Sequence, residues 1–113
     1  MRIVVASDGL DIAPHFSQCL NYNFYTTKSY EIVDSQNIPS QGSSPEECAK
    51  LLDKIGVDTL ICNGITPTTK SAFEAHGIVV VTQATGNALQ AAEAYTASKA
   101  NQVEEDEDEE EDD

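Results

Sequence analysis

The sequence predicts an α/β protein, a five-stranded mixed sheet flanked by helices with elements in the order β, β, β, α, β, α, β, α. Three observations predict it. Short apolar runs at residues 3–6, 58–62 and 78–81 each end at a polar or glycine-containing turn, as strands buried on both faces do. Segments of helical period with explicit start signals lie between and after them. One stretch of alternating residues, from 22 to 33, reads as an antiparallel hairpin.

The elements follow in order. Ile3, Val4, Val5 and Ala6 form the first strand, which Ser7, Asp8 and Gly9 break. Residues 8–20 are loop-like, with Pro14 and scattered polar groups. Tyr22, Phe24 and Thr26 alternate with Asn23 and Tyr25; after a turn near Lys28 and Ser29, Tyr30 and Ile32 alternate with Glu31 and Val33. The hairpin should therefore be half-buried, and the polar stretch 35–44 should be a loop. Ser44 is then an N-cap, Pro45 suits the first helical position, and Glu47 completes a capping box. Cys48, Leu51, Leu52 and Ile55 recur at i, i+3, i+4 and i+7 until Gly56 ends the helix.

Leu60, Ile61 and Cys62 belong to the next buried strand, and Asn63, Gly64 and Ile65 turn the chain. Thr66 and Pro67 repeat the cap-then-proline start for a second helix, which points Ala72 and Phe73 inward and stops at Gly77. After the strand at 78–81 and the turn at 83–86, a third helix carries Ala88, Leu89, Ala92 and Tyr95 on one stripe. Periodicity ends near residue 99. One domain over 1–99 and a disordered acidic tail over 100–113 are expected.

Strand–helix–strand units require parallel pairing through right-handed crossovers. The economical sheet places the strands at 3–6, 58–62 and 78–81 in parallel, with the hairpin extending the opposite edge. That arrangement is a ribonuclease-H-like three-layer fold. Its functional consequence is that loops 8–16, 63–66 and 83–86 gather at the carboxyl ends of the parallel strands, where open α/β sheets bind ligands.

Charge narrows the function. The chain has 20 acidic and 6 basic residues, a net of −14, but residues 104–113 are all acidic, leaving the first 103 at −4. No basic patch exists to neutralise phosphates, so no nucleic-acid partner is expected. No apolar run approaches the roughly 18–20 residues of a membrane span, and MRIVVASDG reads as a strand rather than a signal peptide. Three widely spaced cysteines, Cys19, Cys48 and Cys62, argue against a secreted disulfide framework and for a reducing cytoplasm. The acid run reads first as a solvated, solubilising segment; weak cation binding or docking on a basic partner is its functional version.

Two of the gathered loops lead into helix N-termini, where free N–H groups and the helix dipole favour anions. His15, held in a loop between Pro14 and Phe16, suits a metal ligand, an anion donor or a plain surface residue. Cys62 faces either a ligand or the core; Cys48 belongs to the core, Cys19 is accessible, and His76 is structural. No C-x-x-C pair is present, so a closed four-thiolate centre is not expected. Catalysis is not expected either. Six residues after Cys62 stands Thr68, not the arginine of a cysteine phosphatase; Asp8, His15 and Ser17 lack a nucleophile elbow; and Asp8 with Asp11 is too little carboxylate for two-metal hydrolysis.

These residues also carry a likeness. From Met1 to about Ala97 the chain resembles the dinitrogenase iron–molybdenum cofactor-binding domain family. The likeness rests on the opening MRIVVASD, on Pro14-His15-Phe16-Ser17, and on the turn Cys62-Asn63-Gly64-Ile65-Thr66-Pro67. The strand from Gly77 to Val80 and the Thr85-Gly86 turn complete it. Ser17 stands where the family commonly has glycine, and Gly42-Ser43-Ser44 where it often has a histidine–glycine pair. The resemblance implies a ribonuclease-H-like fold and places the family's cofactor-binding histidine on His15. It implies a non-catalytic carrier of an anionic metal–sulfur cluster, iron–molybdenum cofactor-like or molybdenum–copper sulfide as in the orange proteins. Cluster donor and acceptor proteins are its implied partners, and a monomer or weak dimer is expected. The expected cofactor site is His15, Phe16, Asn63, Gly64, Ile65, Thr66, Thr85 and Gly86, with His15 and Cys62 as candidate metal ligands and Phe16 and Ile65 shielding one face from water. The competing reading is a cofactor-free interaction or regulatory module of the same fold.

Overall fold

The computed structural model describes residues 1–40 and 44–112, with side chains described through residue 100. Positions 42 and 43, part of the expected polar loop, lie outside the described residues. The chain forms β1 (Arg2–Asp8), β2 (Asp11–Ile12), β3 (Asn21–Lys28), β4 (Glu31–Pro39), α1 (Pro45–Ile55), β5 (Thr59–Ile61), α2 (Pro67–Glu74), β6 (Val79–Val81) and α3 (Ala88–Asp112). A single 3₁₀ turn, Phe16–Gln18, lies between β2 and β3. The result is an α/β fold with a mixed sheet and three helices.

Strand β1 is buried at every position except its ends because five successive residues, Ile3 to Ser7, face protein on both sides. It pairs in parallel with β5 and antiparallel with β3, and the sheet order is β4-β3-β1-β5-β6. The sheet counts six strands where the sequence predicts five. The addition is β2, which folds back on Ser7 and Asp8 of β1; two residues are too few to show a period. Side chains of β1 alternate between two cores. Val4 and Ala6 pack with Leu52, Leu60, Phe73 and Ile78 under α1 and α2. Ile3 and Val5 pack with Tyr25, Ile61, Ala88 and Ala92 under α3.

The hairpin departs from expectation in the length of β4 and in the place of Tyr30. Strand β4 continues to Pro39 through the stretch predicted as loop, in register with β3 from Asn21↔Pro39 to Thr26↔Asp34. Its Ser35, Gln36 and Asn37 are polar because they lie on a water-facing edge, so no alternation marked them as strand. In β3 the asparagines Asn21 and Asn23 are buried. Asn23 Nδ2 donates to Ser7 Oγ at 3.0 Å and to the Gly9 carbonyl at 2.9 Å, and Asn21 Oδ1 accepts from the Gly9 N–H at 2.7 Å. These bonds fix the turn that leads into the 8–16 loop. Ser29 and Tyr30 both take positive φ, 54° and 63°, so Tyr30 is a turn residue rather than part of the strand.

Helix α1 starts as its signals require: the Glu47 N–H donates to Ser44 Oγ at 3.2 Å. It ends at Gly56, whose φ of 91° lets its N–H reach the Leu52 and Asp53 carbonyls. Cys48, Ala49 and Leu52 are the buried residues, whereas Leu51 is 53% exposed. Leu89 of α3 is likewise exposed, and Ala88 and Ala92 carry the inward stripe with Tyr95 packed beside them. His76 closes the space between the ends of α1 and α2 through Nδ1, 3.1 Å from Asp53 Oδ2. Helix α3 spans Ala88 to Asp112, longer than the apolar stripe that the sequence marks.

Phe73 is fully buried and meets Phe16 edge-to-face, ring centroids 5.3 Å apart. Replacing it with alanine should lower unfolding free energy by about 3–5 kcal/mol, the usual cost of emptying an aromatic site. Urea denaturation followed by circular dichroism measures this directly.

Candidate anion-binding cleft at the carboxyl end of the sheet

Three connections meet where the parallel strands end, and backbone hydrogen bonds knit them together. The Phe16 N–H donates to the Gly64 carbonyl at 2.7 Å, and the Gly64 N–H donates to the Pro14 carbonyl at 2.9 Å. His15 and Gly64 thus form an isolated parallel bridge. The Gln83 N–H donates to the Asn63 carbonyl and the Ala84 N–H to the Cys62 carbonyl, both at 3.1 Å. The Ile12 N–H reaches the Gly86 carbonyl at 2.8 Å, and the Ala88 N–H reaches the Leu10 carbonyl at 2.9 Å.

Only glycine fits at position 64. A Cβ there would stand 2.8 Å from the Pro14 carbonyl oxygen and 3.1 Å from His15 Nδ1. The two loops therefore touch backbone to backbone, and the imidazole lies directly over the glycine.

The cleft beside this contact has a volume of about 270 Å³ and is lined by His15, Phe16, Ser17, Gly64, Ile65, Thr66 and Thr69. His15 is exposed. Thr66 caps α2, its Oγ1 accepting from the Thr69 N–H at 3.3 Å and lying 2.9 Å from Thr69 Oγ1. Pro67 has no N–H to offer. The Thr68 amide, in the first turn, has no acceptor within the helix, and no hydrogen bond among the described residues engages the amides of Ile65 and Thr66. Neutral N–H and O–H donors beside one imidazole suit an anion whose charge is spread over several atoms. They do not suit a bare cation: among the described residues no three His, Cys, Asp or Glu side chains converge.

The other expected site residues are placed differently. Phe16 is 8% exposed and turns its ring into the core against Phe73 and Tyr22, so it anchors the loop more than it screens the cleft. Asn63 is half-buried and engages Gln83 through its backbone. Thr85 and Gly86 do not line the cleft. The start of α3 beside them is largely closed, because Leu10 accepts from the Ala88 amide and the Asn87 side chain accepts from the Gln90 amide at 3.0 Å. Cys62 is fully buried, and burial pushes its thiol up to about 11. The thiol sits in the core and does not line the cleft. Cys19, expected to be accessible, is also buried, with its pKa raised chiefly by burial.

Sequence reasoning missed Ser17, Thr69 and Lys70. Thr69 carried a signal, since the third residue after a cap faces that cap. Lys70 is half-buried and near enough to Cys62 to act against the upward push on its thiol, which brings one positive charge toward loops that have none of their own.

A small α/β protein with a donor-rich cleft between two loops at the sheet end is the class that fold and geometry define. The sequence matches the dinitrogenase iron–molybdenum cofactor family over residues 1–98, and the chain belongs to that family. Among solved structures it is similar to PH0822, with a TM-score of 0.79 at 16% identity over 87% of this chain and 90% of that one. It is also similar to the mj0327 protein of Methanocaldococcus jannaschii, with a TM-score of 0.70 at 18% identity over 87% and 89%. The apo form of the orange protein from Desulfovibrio gigas gives 0.68 at 21% over 88% of each chain. These likenesses show the fold. No curated protein sequence matches the chain.

Gly64→Ala should force the 14–17 and 64–66 loops apart, shift their amide resonances together, and cost about 1–3 kcal/mol, as overpacking does. A second outcome concerns alkali. Below about pH 9 the Cys62 thiol is neutral both folded and unfolded; above it the unfolded thiol ionises first, because the folded one resists up to about 11. Stability should therefore fall as pH rises from 9 to 11, and Cys62→Ala should flatten that fall in urea titrations across the range.

Proposed function

We propose that this protein binds and carries an anionic metal–sulfur cluster, of iron–molybdenum or molybdenum–copper sulfide type, and performs no reaction on it. The observation that carries this reading is the cleft itself: an exposed imidazole set beside uncommitted backbone amides and hydroxyls, in a chain of this family. His15 is the ligand or hydrogen-bond donor. The amides of Ile65, Thr66 and Thr68 and the hydroxyls of Ser17 and Thr69 donate to the cluster's outer atoms. Gly64 holds the two loops at the spacing this needs. Cys62 stays protonated in the core and out of the cleft.

The acid run does not oppose an anionic cargo. At about 1.5 Å per residue, position 104 lies roughly 24 Å along α3 from Ala88. The Debye length is about 8 Å at physiological salt, so its repulsion at the loops is screened. A cluster held by few ligands and neutral donors is held reversibly, which suits delivery between donor and acceptor proteins. Three free thiols fit a reducing cytoplasm. A ribonuclease-H-like layering of the sheet and a monomer or weak dimer complete the reading.

Anaerobic titration of ¹⁵N-labelled protein with tetrathiomolybdate, with and without copper(I), and with iron–sulfide clusters tests it. Amide shifts should concentrate at residues 14–17 and 64–69, and His15→Ala should weaken binding at least tenfold. Silence or scattered shifts with all three additions would replace this reading with that of a cofactor-free interaction module.

A further inference from the structure

We propose that the free edge of β4, with the groove on each side of it, takes up an extended, net-basic segment of another protein by strand addition. Strand β4 is a terminal strand of the sheet, nine residues long, and only Ile32 is even half-buried. Its outer side therefore presents backbone donors and acceptors with no neighbouring strand among the described residues, the feature that edge-pairing partners use. Val33 is the extra residue of a bulge, since Thr26 faces Asp34 while Thr27 faces Ile32. Residues 34–39 beyond it form a regular edge.

Both flanks of that edge are prepared for side chains. Toward α1 lies an apolar groove lined by Tyr22, Phe24, Ile38, Leu51 and Ile55, and Leu51 is 53% exposed there. Toward α3 lies a groove of about 360 Å³, mixed in character, lined by Leu10, Tyr25, Asn37, Asn87 and Leu89. Its Leu10 is 70% exposed. A strand added along β4 would send alternate side chains into these two grooves, so its residues should alternate apolar and polar.

Charge decides between occupants. Strand β4 carries Glu31 and Asp34 and no cation. The first 103 residues carry a net of only −4, but the edge itself is acidic, so two copies pairing edge to edge would set Glu31 and Asp34 against the same acids, whereas a basic segment is attracted.

The test uses the full chain, ¹⁵N-labelled, at physiological salt. The probe is a blocked nine-residue peptide of alternating lysine and valine; its control has the same composition in two blocks. The alternating peptide should shift amides of residues 31–39 and slow their hydrogen exchange, with smaller shifts at Leu10 and Leu51. It should bind at least tenfold more tightly than the block peptide. The double variant Ile38→Ser, Leu51→Ser removes apolar surface without adding charge, at two side chains that are already at the surface. It should lose at least tenfold in affinity while its His15 and Gly64 resonances stay in place. Shifts confined to residues 101–113, or equal binding of the two peptides, would reduce the effect to charge alone and overturn the proposal. So would a sedimenting dimer whose β4 amides are protected without peptide, which would make the edge an interface between copies.

Discussion

Everything in this fold is arranged around β1. It is hydrogen-bonded along both edges, in parallel to β5 and antiparallel to β3, and it is covered on both faces. Its alternating residues enter separate cores, Val4 and Ala6 under α1 and α2, Ile3 and Val5 under α3. A central strand of this kind forces its neighbours to find helices for both faces of the sheet, which is why the fold is layered. It also fixes where β1 and β5 end, and with them where the loops that follow must meet.

The loops that leave those ends are not free to choose their own geometry. Asn21 and Asn23, buried in β3, hold Gly9 at the start of one. Phe16 pins its far side to Phe73 and Tyr22. Between these anchors, His15 is held against Gly64 by two backbone hydrogen bonds, in a space without room for a Cβ. A histidine in a mobile loop would have to be ordered on binding; this one is held by the fold, which lowers the entropic cost of engaging a ligand.

The thiols and the cleft divide the chemistry between them. All three cysteines are in the core under α1 and α2, where burial keeps them protonated. The cleft keeps the imidazole and neutral donors. An arrangement with thiolates in the cleft would hold a soft metal tightly and release it slowly. Weaker, distributed donors are what the proposed cluster-carrying role would use.

By itself the sequence determined the parts whose signals are local. Ser44 with Pro45 and Glu47, and Thr66 with Pro67, start helices because capping involves residues three apart in the chain. The short runs at 3–6, 58–62 and 78–81 mark strands, but only β1 and β5 are buried on both faces; β6 is the sheet's other edge, and its Val79 is 51% exposed. His15, Gly64, Ile65 and Thr66 were expected together because loops after parallel strands converge, and they line one cleft. Only the tertiary structure decided which of those residues share a cleft. Thr85 and Gly86 have the same local form as Asn63 and Gly64, yet Leu10 occupies the first amide of α3. Cys62 directly follows β5 at the site edge, yet its side chain packs in the core under α1 and α2. The length of β4 was invisible too, since an edge strand facing water needs no apolar alternation to pair with β3. In each case the deciding contact joins residues far apart in the chain, and local spacing carries no record of it.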